Sequence, residues 1–398
     1  MTVQQRATLE DVARLAGVSS KTVSRVYTDR GVVAPATVER VLIAAKRLRF
    51  RPNSLARTLR RGGATNTIGF IMGDLENPFY HGVAAGIEEE LGRNGHTLVV
   101  ATTGDMPDGE ERVVDTLLAQ RIGALLLIPV AEDQSYLEGE RHLGTPVVAI
   151  DRPARNLVAD AIVLDNRQGA AAAARRLLEL GHRRIGYACN PAAVYTQDER
   201  VRGYRETLAA YGVGDTRRWE RLVDDRAAPP ERIIAELLGG EDAPTAVITG
   251  NNRMTVGALR VLRDLDEAAV PALIGFDDFD TADVLGVSVI AYDPIDLGRR
   301  AARLALDRIG EPVGLTKQIE LPTRLIERGS GERPPPSALP ELNPLSRKSP
   351  ATDRTAQSAS GIGVCWYRAS RQPAAVRTYV EDISATNGAA PSRAARPV

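Results

Sequence analysis

Four side chains on one short stretch, Ser20, Lys21, Thr22 and Arg25, carry the most legible chemistry in the sequence. In a helix beginning at Ser20, Lys21 and Arg25 stand one turn apart and share a face with Ser20, while Val23 and Val26 point away from it. Two cations and small hydroxyls on one outer face suit a polyanion. A guanidinium at Arg25 can donate two parallel hydrogen bonds to guanine O6 and N7, and Lys21 can reach a base edge or a phosphate. The hydroxyls of Thr8, Ser19 and Thr22 are placed to hold phosphates and fix the register. A solvated charged face is the plainer reading of such a cluster, and its surroundings decide against it.

A second set of polar residues follows the apolar runs of the middle segment. Asp74, Asn77 and Phe79 come after the first run, Asp151 and Arg152 after the fourth, and Tyr195, Gln197 and Arg200 after the fifth. Asn251 with Asn252, then Asp277 with Asp278, follow the last two. Carboxylates and amides take neighbouring hydroxyls, an arginine donates, and the Phe79 ring offers a stacking face, which is what a polyhydroxylated ligand needs. Each has a plainer alternative: Asp74 and Asn77 as turn residues, Asp277-Asp278 as the cap of a following helix. Catalysis has weaker footing. His81, His96, His142 and His182 are scattered, no pair has metal-ligand spacing, and neither a Gly-x-Ser-x-Gly elbow nor a phosphate loop occurs. No enzyme activity, metal or cofactor is expected.

The elements that must position the first set lie in residues 1–63. These hold thirteen Lys or Arg against four Asp or Glu, although the whole chain has a formal net charge of zero. A basic end on an otherwise acidic chain points to a polyanion partner for that end alone. Thr8-Leu9-Glu10-Asp11 is a capping-box pattern, and its helix places Val12, Leu15 and Ala16 on one face and stops at Gly17. Ser19 caps a second helix to about Tyr27, giving a helix-turn-helix. A third helix from Pro35 carries Val38, Val41, Leu42, Ala45 and Leu48 inward. After Pro52, Asn53 reads as the cap of a short basic helix that ends at Gly62-Gly63 and is marginal without a partner.

From Thr67 short β-branched runs alternate with amphipathic stretches. Strands are expected at Thr67–Ile71, His96–Ala101, Ala124–Ile128, Val147–Ile150, Arg184–Ala188, Ala246–Thr249 and Leu273–Phe276. Helices are expected at Phe79–Leu91, Glu110–Gln120, Gln168–Leu180, Arg200–Tyr211, Thr255–Leu265 and Ile295–Ile309. The alternation implies doubly wound parallel sheets with helices on both faces, and the length implies two of them. Ligands of such sheets bind beyond the carboxyl ends of the strands, where the second set of residues falls. The two cysteines, Cys189 and Cys365, exclude a disulfide scaffold, and the lack of a signal segment or of 18 successive apolar residues points to the cytoplasm.

The order TLEDVARLAGVSSKTVSRV…RPNSLARTL…TIGFI…NPFY resembles the lactose/galactose repressor family of bacterial transcription regulators, from about Thr8 to about Gly329. The resemblance implies a homodimer with two recognition helices in adjacent major grooves of a near-palindromic operator. It also implies hinge helices paired in the minor groove, where Leu59, with Ala56 beside it, matches the family's wedge between base pairs. An apolar wedge there unstacks a step and bends the duplex; the alternative, Leu55 or Leu59 as core residues, is weakened by the surrounding Arg57, Arg60 and Arg61. For residues beyond the headpiece it implies two lobes joined by three connections, as in periplasmic sugar-binding proteins, with Arg200 and Asp277 as the most regular effector contacts. The sequence departs from the family at Tyr27-Thr28, at Ala34 in place of a hydroxyl cap (about 1 kcal/mol), and at Gly250-Asn251-Asn252, where a carboxylate is usual.

The expected organisation is therefore a DNA-binding headpiece with hinge over 1–63, a two-lobed effector and dimerisation domain over 64–331, and a disordered tail over 332–398. Leu321–Arg328 reads as the last strand. Pro340 and Pro344 break the leucine spacing that a tetramerisation helix would need. The function implied is a cytoplasmic, nucleoid-associated repressor that binds double-stranded operator DNA and is controlled by a small molecule, a sugar or sugar derivative. The rivals are a DNA-binding regulator without effector and a solute-binding protein, the latter having no use for Lys21, Arg25 and Leu59.

Overall fold

Thr8 opens the first helix in both senses of a capping box. In the computed structural model, which describes residues 7–28, 32–51, 65–225, 227–240, 242–311 and 314–335, the Asp11 amide donates to Thr8 Oγ1 at 3.3 Å. The Thr8 amide donates back to the Asp11 carboxylate at 2.9 Å, and these bonds hold the Asp11 carboxyl below its ordinary range. Helix α1 (Leu9–Ala16) stops at Gly17, whose φ of 64° is the left-handed cap a Cβ would disfavour. Helix α2 (Ser20–Thr28) is capped by Ser19, which accepts from the Thr22 amide at 3.1 Å. Helix α3 (Pro35–Arg47) starts on Pro35 with no side-chain cap from Ala34.

Val12, Ala13, Ala16, Val23, Val26, Val41, Ala44 and Ala45 form the core of this three-helix unit. Leu15, expected inward, is 45% exposed, and Ala13 takes its place. Alanines make up half of that core, and Leu9, Leu42 and Leu48 pack against its rim. Tyr27, one of the departures from the family pattern, rests its ring 6.0 Å from that of Phe50 and so ties α2 to the end of α3. Asn53, Ala56 and Leu59, with their expected hinge helix, lie outside the described residues, as does the chain beyond residue 335.

The larger body is two six-stranded sheets. One lobe, the N-lobe, is built from β1 (Thr67–Met72), α4 (Pro78–Arg93), β2 (Thr97–Thr102), α5 (Pro107–Leu118), β3 (Ala124–Leu127), the short α6 (Glu138–His142), β4 (Val147–Asp151) and β5 (Asp160–Leu164). The C-lobe follows with α7 (Asn166–Glu179), β6 (Ile185–Cys189), α8 (Tyr195–Ala210), β7 (Glu220–Leu222), α9 (Pro230–Leu238), β8 (Ala246–Thr249), α10 (Asn252–Leu262), β9 (Ala272–Phe276) and β10 (Ser288–Ala291). The chain then returns through α11 (Pro294–Gly310) and β11 (Gln318–Leu321) to the N-lobe, and ends with β12 (Arg324–Ile326) in the C-lobe. The strand orders are β11-β5-β4-β3-β1-β2 and β12-β10-β9-β8-β6-β7. Every pairing is parallel except β10 with β12.

The chain crosses between the sheets at Asp165, at Tyr292–Asp293 and at Pro322–Thr323, the three connections the family resemblance implies. The last of these corrects the single strand expected over Leu321–Arg328. Pro322 has no N–H for a ladder, and the run divides into one strand for each sheet. In each lobe two helices packed on the sheet, α4 with α11 and α7 with α8, touch at glycines. A Cβ on Gly86 of α4 would lie 2.0 Å from the Ile295 carbonyl oxygen, one on Gly298 of α11 would lie 2.1 Å from that of Val83, and one on Gly203 of α8 would lie 2.1 Å from that of Arg167.

Past β12 the chain runs on as a strap over the C-lobe. Ser330 donates to the Leu273 carbonyl at 2.6 Å, Ser288 Oγ donates to Glu332 at 2.8 Å, and His182 Nε2 lies 2.8 Å from the Arg333 carbonyl. His182 Nδ1 is 2.8 Å from the Thr245 hydroxyl, and burial pushes the imidazole below its usual pKa. A disordered tail was expected from residue 332, but side chains of the C-lobe hold Glu332 and Arg333.

Candidate functional site

The polyanion-facing set is displayed as its spacing implies. Ser19, Ser20, Lys21 and Arg25 are exposed, with Val23 and Val26 fully buried beneath them. The hydroxyls are less available than the sequence alone suggests. Thr8 Oγ1 donates to Asp11 at 2.7 Å, and the Ser19 and Thr22 hydroxyls lie 2.9 Å apart. Capping and phosphate contact therefore compete for the same oxygens.

Between the lobes lies a cavity of about 440 Å³. It opens where the loops after β1 and β4 of one sheet meet those after β6, β8 and β9 of the other. Both sheets run 2-1-3-4-5 before their sixth strand, so the loops after β1 and β6 stand at the topological switch points where such sheets bind ligands. Asp74, Asn77, Phe79, Asp151, Arg200, Asn251 and Asp277 line it, together with Arg152 and Gln197. Asn252 and Tyr195 do not. Asn252 is 3% exposed and donates through Nδ2 to Asn77 Oδ1 at 2.9 Å.

Arg200 is the centre of the C-lobe wall. Helix α8 carries it 4% exposed, with its guanidinium carbon 3.6 Å from the Phe276 ring centroid. Its Nε donates to Asn166 Oδ1 at 2.7 Å, Nη1 to the Gly250 carbonyl at 2.5 Å and Nη2 to Asp277 Oδ1 at 3.4 Å. Asp277 also accepts from the Tyr292 hydroxyl at 2.9 Å. Burial raises the Asp277 pKa against the opposing pull of Arg200, and burial together with Asp277 drives the Tyr292 hydroxyl well above 10. Asp277 and Asp151 both sit at φ 70°, a conformation that turns the chain sharply off the strand end and aims the carboxylate inward.

The other predicted residues take mixed roles. Asp74 is a turn residue, accepting from the Glu76 and Asn77 amides, and it also pairs with Arg253 at 2.8 Å. Asn77 caps α4 through the Phe79 amide. Asp278 was a candidate helix cap; no helix follows it, and it pairs instead with Arg328. Asp151 accepts both Nε and Nη2 of Arg152. Sequence reasoning missed Tyr80, Asp105, Asn190, Arg253 and Tyr292, all of which line the cavity. Asn190 and Asp105 follow strands and were open to the same rule that found Asp74. Tyr292 lies on a crossover, where no strand pattern points to it. Among the described residues no group of three or more His, Cys, Asp or Glu is placed to hold a metal ion, and no helix is long and apolar enough to cross a membrane.

Comparison with known proteins matches both parts. Residues 8–53 fit the family model for bacterial regulatory proteins, lacI family, and residues 65–325 that for periplasmic binding proteins and the sugar binding domain of the LacI family. The HTH-type transcriptional regulator GalR of Salmonella typhimurium is 32% identical over 338 residues, covering 82% of this chain and 97% of its own. The ribose operon repressor of Escherichia coli is 32% identical over 330 residues, covering 81% and 99%. Among solved structures, the complex of the transcriptional regulator CelR with cellobiose is 31% identical with a TM-score of 0.61, covering 82% and 100%.

Proposed function

The chain belongs to the LacI family of bacterial regulatory proteins and is a DNA-binding transcriptional regulator; from that premise we propose that it represses by binding an operator as a homodimer, with its affinity set by a sugar or sugar derivative held between the lobes. The observation that carries the small-molecule part is the Arg200–Asp277–Tyr292 network. It is a buried, hydrogen-bonded polar wall facing a cavity at the switch points of both sheets. Relatives bearing sugar names, and one solved with cellobiose, lend support. Lys21 and Arg25 read bases in the major groove, Ser20 lies on the same face, and Thr8, Ser19 and Thr22 steady the backbone. Asn53, Ala56 and Leu59, outside the described residues, are assigned to the minor groove in this reading. Asp74, Asn77, Phe79, Asp151, Arg200, Asn251 and Asp277 contact the effector, and Asn252 acts through Asn77. No catalytic step is assigned, and the cytoplasm, at the nucleoid, is where such a protein works.

The coupling needs no more than one bistable element. Lobe closure that alters how two N-lobes face each other changes the hinge geometry, and each 1.4 kcal/mol of difference is tenfold in operator affinity. A regulator without effector is the second reading, because Asn252–Asn77 and Arg253–Asp74 already bridge the lobes with the protein's own side chains. The deciding experiment is binding of the full chain to DNA from upstream of its own gene against a scrambled duplex, at two salt concentrations, with and without candidate sugars. Discrimination that survives the higher salt establishes operator reading, since non-specific affinity collapses with salt. A sugar that alters that discrimination establishes the effector; equal loss on both duplexes removes the operator assignment.

A further inference from the structure

Resting on the reading of the cleft as an effector site, we infer that its occupant is an uncharged oligosaccharide of disaccharide size, and that phosphorylated and carboxylated sugars are excluded. The first ground is charge. Three guanidiniums line the cavity, and each is already engaged. All three nitrogens of Arg200 donate within the protein, Arg152 places Nε and Nη2 on Asp151 at 3.0 and 2.7 Å, and Arg253 meets Asp74 at 2.8 Å. Against them stand Asp74, Glu76, Asp105, Asp151 and Asp277. Five carboxylates thus face three arginines. A phosphate or carboxylate ligand would enter a cavity in which carboxylates outnumber guanidiniums, and would sit among like charges.

The second ground is hydrogen-bond valence. Asn190 lines the cavity, and its Nδ2 donates to the Ala228 carbonyl at 3.2 Å, which fixes the amide orientation and leaves Oδ1 buried with no partner. A buried acceptor needs a donor. A sugar hydroxyl supplies one, and the neighbouring carboxylates ask for donors as well, so this ground selects a polyhydroxylated ligand while the exclusion of anions rests on charge. The third ground is size and wall. At about 30 Å³ per liquid water, a pyranose with its hydroxyls displaces on the order of six waters, roughly 180 Å³. The cavity of about 440 Å³ therefore holds two such rings. Phe79, whose ring lies 5.3 Å from that of Tyr80 and 5.9 Å from that of Tyr292, joins them in an apolar flank for the C–H face of a sugar.

The test is calorimetric titration of the full chain with cellobiose, maltose, lactose and trehalose, with glucose, galactose and ribose, and with glucose 6-phosphate and fructose 1-phosphate. Operator binding is measured beside each. The expected result is one disaccharide that binds at least tenfold more tightly than its component monosaccharides and alters operator binding, with no heat from either phosphate ester. A phosphate ester that binds more tightly than its parent sugar, or a monosaccharide that matches every disaccharide, overturns the inference while the effector site stands. If no compound binds and operator affinity never changes, the inference and the effector reading fall together.

Discussion

Arg25 and Arg200 are the two arginines on which most of the functional reading rests, and the protein holds them in opposite ways. Arg25 is exposed on α2 above a sealed core, so its removal should leave the fold intact. Arg25→Ala is expected to cost about 1–3 kcal/mol of discrimination between operator and scrambled duplex with little change in non-specific binding; unaltered discrimination in a competition assay would remove the groove contact. Arg200 is locked by four protein groups, and its charge faces Asp277. Asp277→Asn keeps an acceptor for Tyr292 but leaves Arg200 without its counter-charge. Operator binding without ligand should persist, while the sugar concentration for half-response rises at least tenfold; an unshifted response curve would take Asp277 out of the site. Both arginines were legible in the sequence from type and position. The groups that fix Arg200 and its counter-charge, namely Asn166, the Gly250 carbonyl and, through Asp277, Tyr292, were not, because they come from the start of one helix, a strand end and a crossover that no single periodicity links.

Helices and central strands were the legible elements, since α4, α5, α7, α8, α10 and α11 each carry an amphipathic repeat. β5, β7, β10 and most of β11 escaped, and none of them is longer than five residues. Glycine contacts between helices were equally silent, since a glycine in a helix reads as a weakness until its neighbour is known. Gly298→Ala is expected to destabilise the N-lobe by about 1–3 kcal/mol, because the added carbon meets backbone and not a yielding side chain. An unchanged midpoint in urea unfolding would show that α4 and α11 part freely. The strap has its own signature. His182 is depressed below 6.5, so the unfolded chain binds the proton more readily, and stability present above about pH 6.5 is lost as pH falls below it. The melting temperature should therefore drop between pH 7.5 and 5.5 more steeply than in His182→Asn, and parallel slopes would exclude the imidazole as the cause.

At the scale of the whole molecule, two lobes are held together by three crossovers and by side-chain bonds that span them. Asn252 matters most among the latter. Asn77 Oδ1 accepts from the Phe79 amide and can only face a donor, which the Asn252 amide provides from a buried position. Arg253 is half-exposed, and its pair with Asp74 is worth little by comparison. The sequence showed that a family carboxylate was missing at 252 and suggested a cleft with one charge fewer; the structure places the residue against the opposite lobe and not in the cavity. Asn252→Asp should set acceptor against acceptor and loosen closure, seen as a larger radius of gyration in X-ray scattering of the ligand-free chain. A profile that superimposes on the unaltered one would mean that the crossovers alone set the lobe angle.

The strap across the C-lobe also decides where this chain tolerates cutting and splicing. A protein ended at Arg328, where a reader of β12 would stop, loses the groups that satisfy Leu273, Ser288 and His182. A reporter or affinity handle joined after Pro335 leaves those bonds in place, and the seven residues from Gly329 to Pro335 are the margin between a truncation that keeps the lobe whole and one that unpicks its edge.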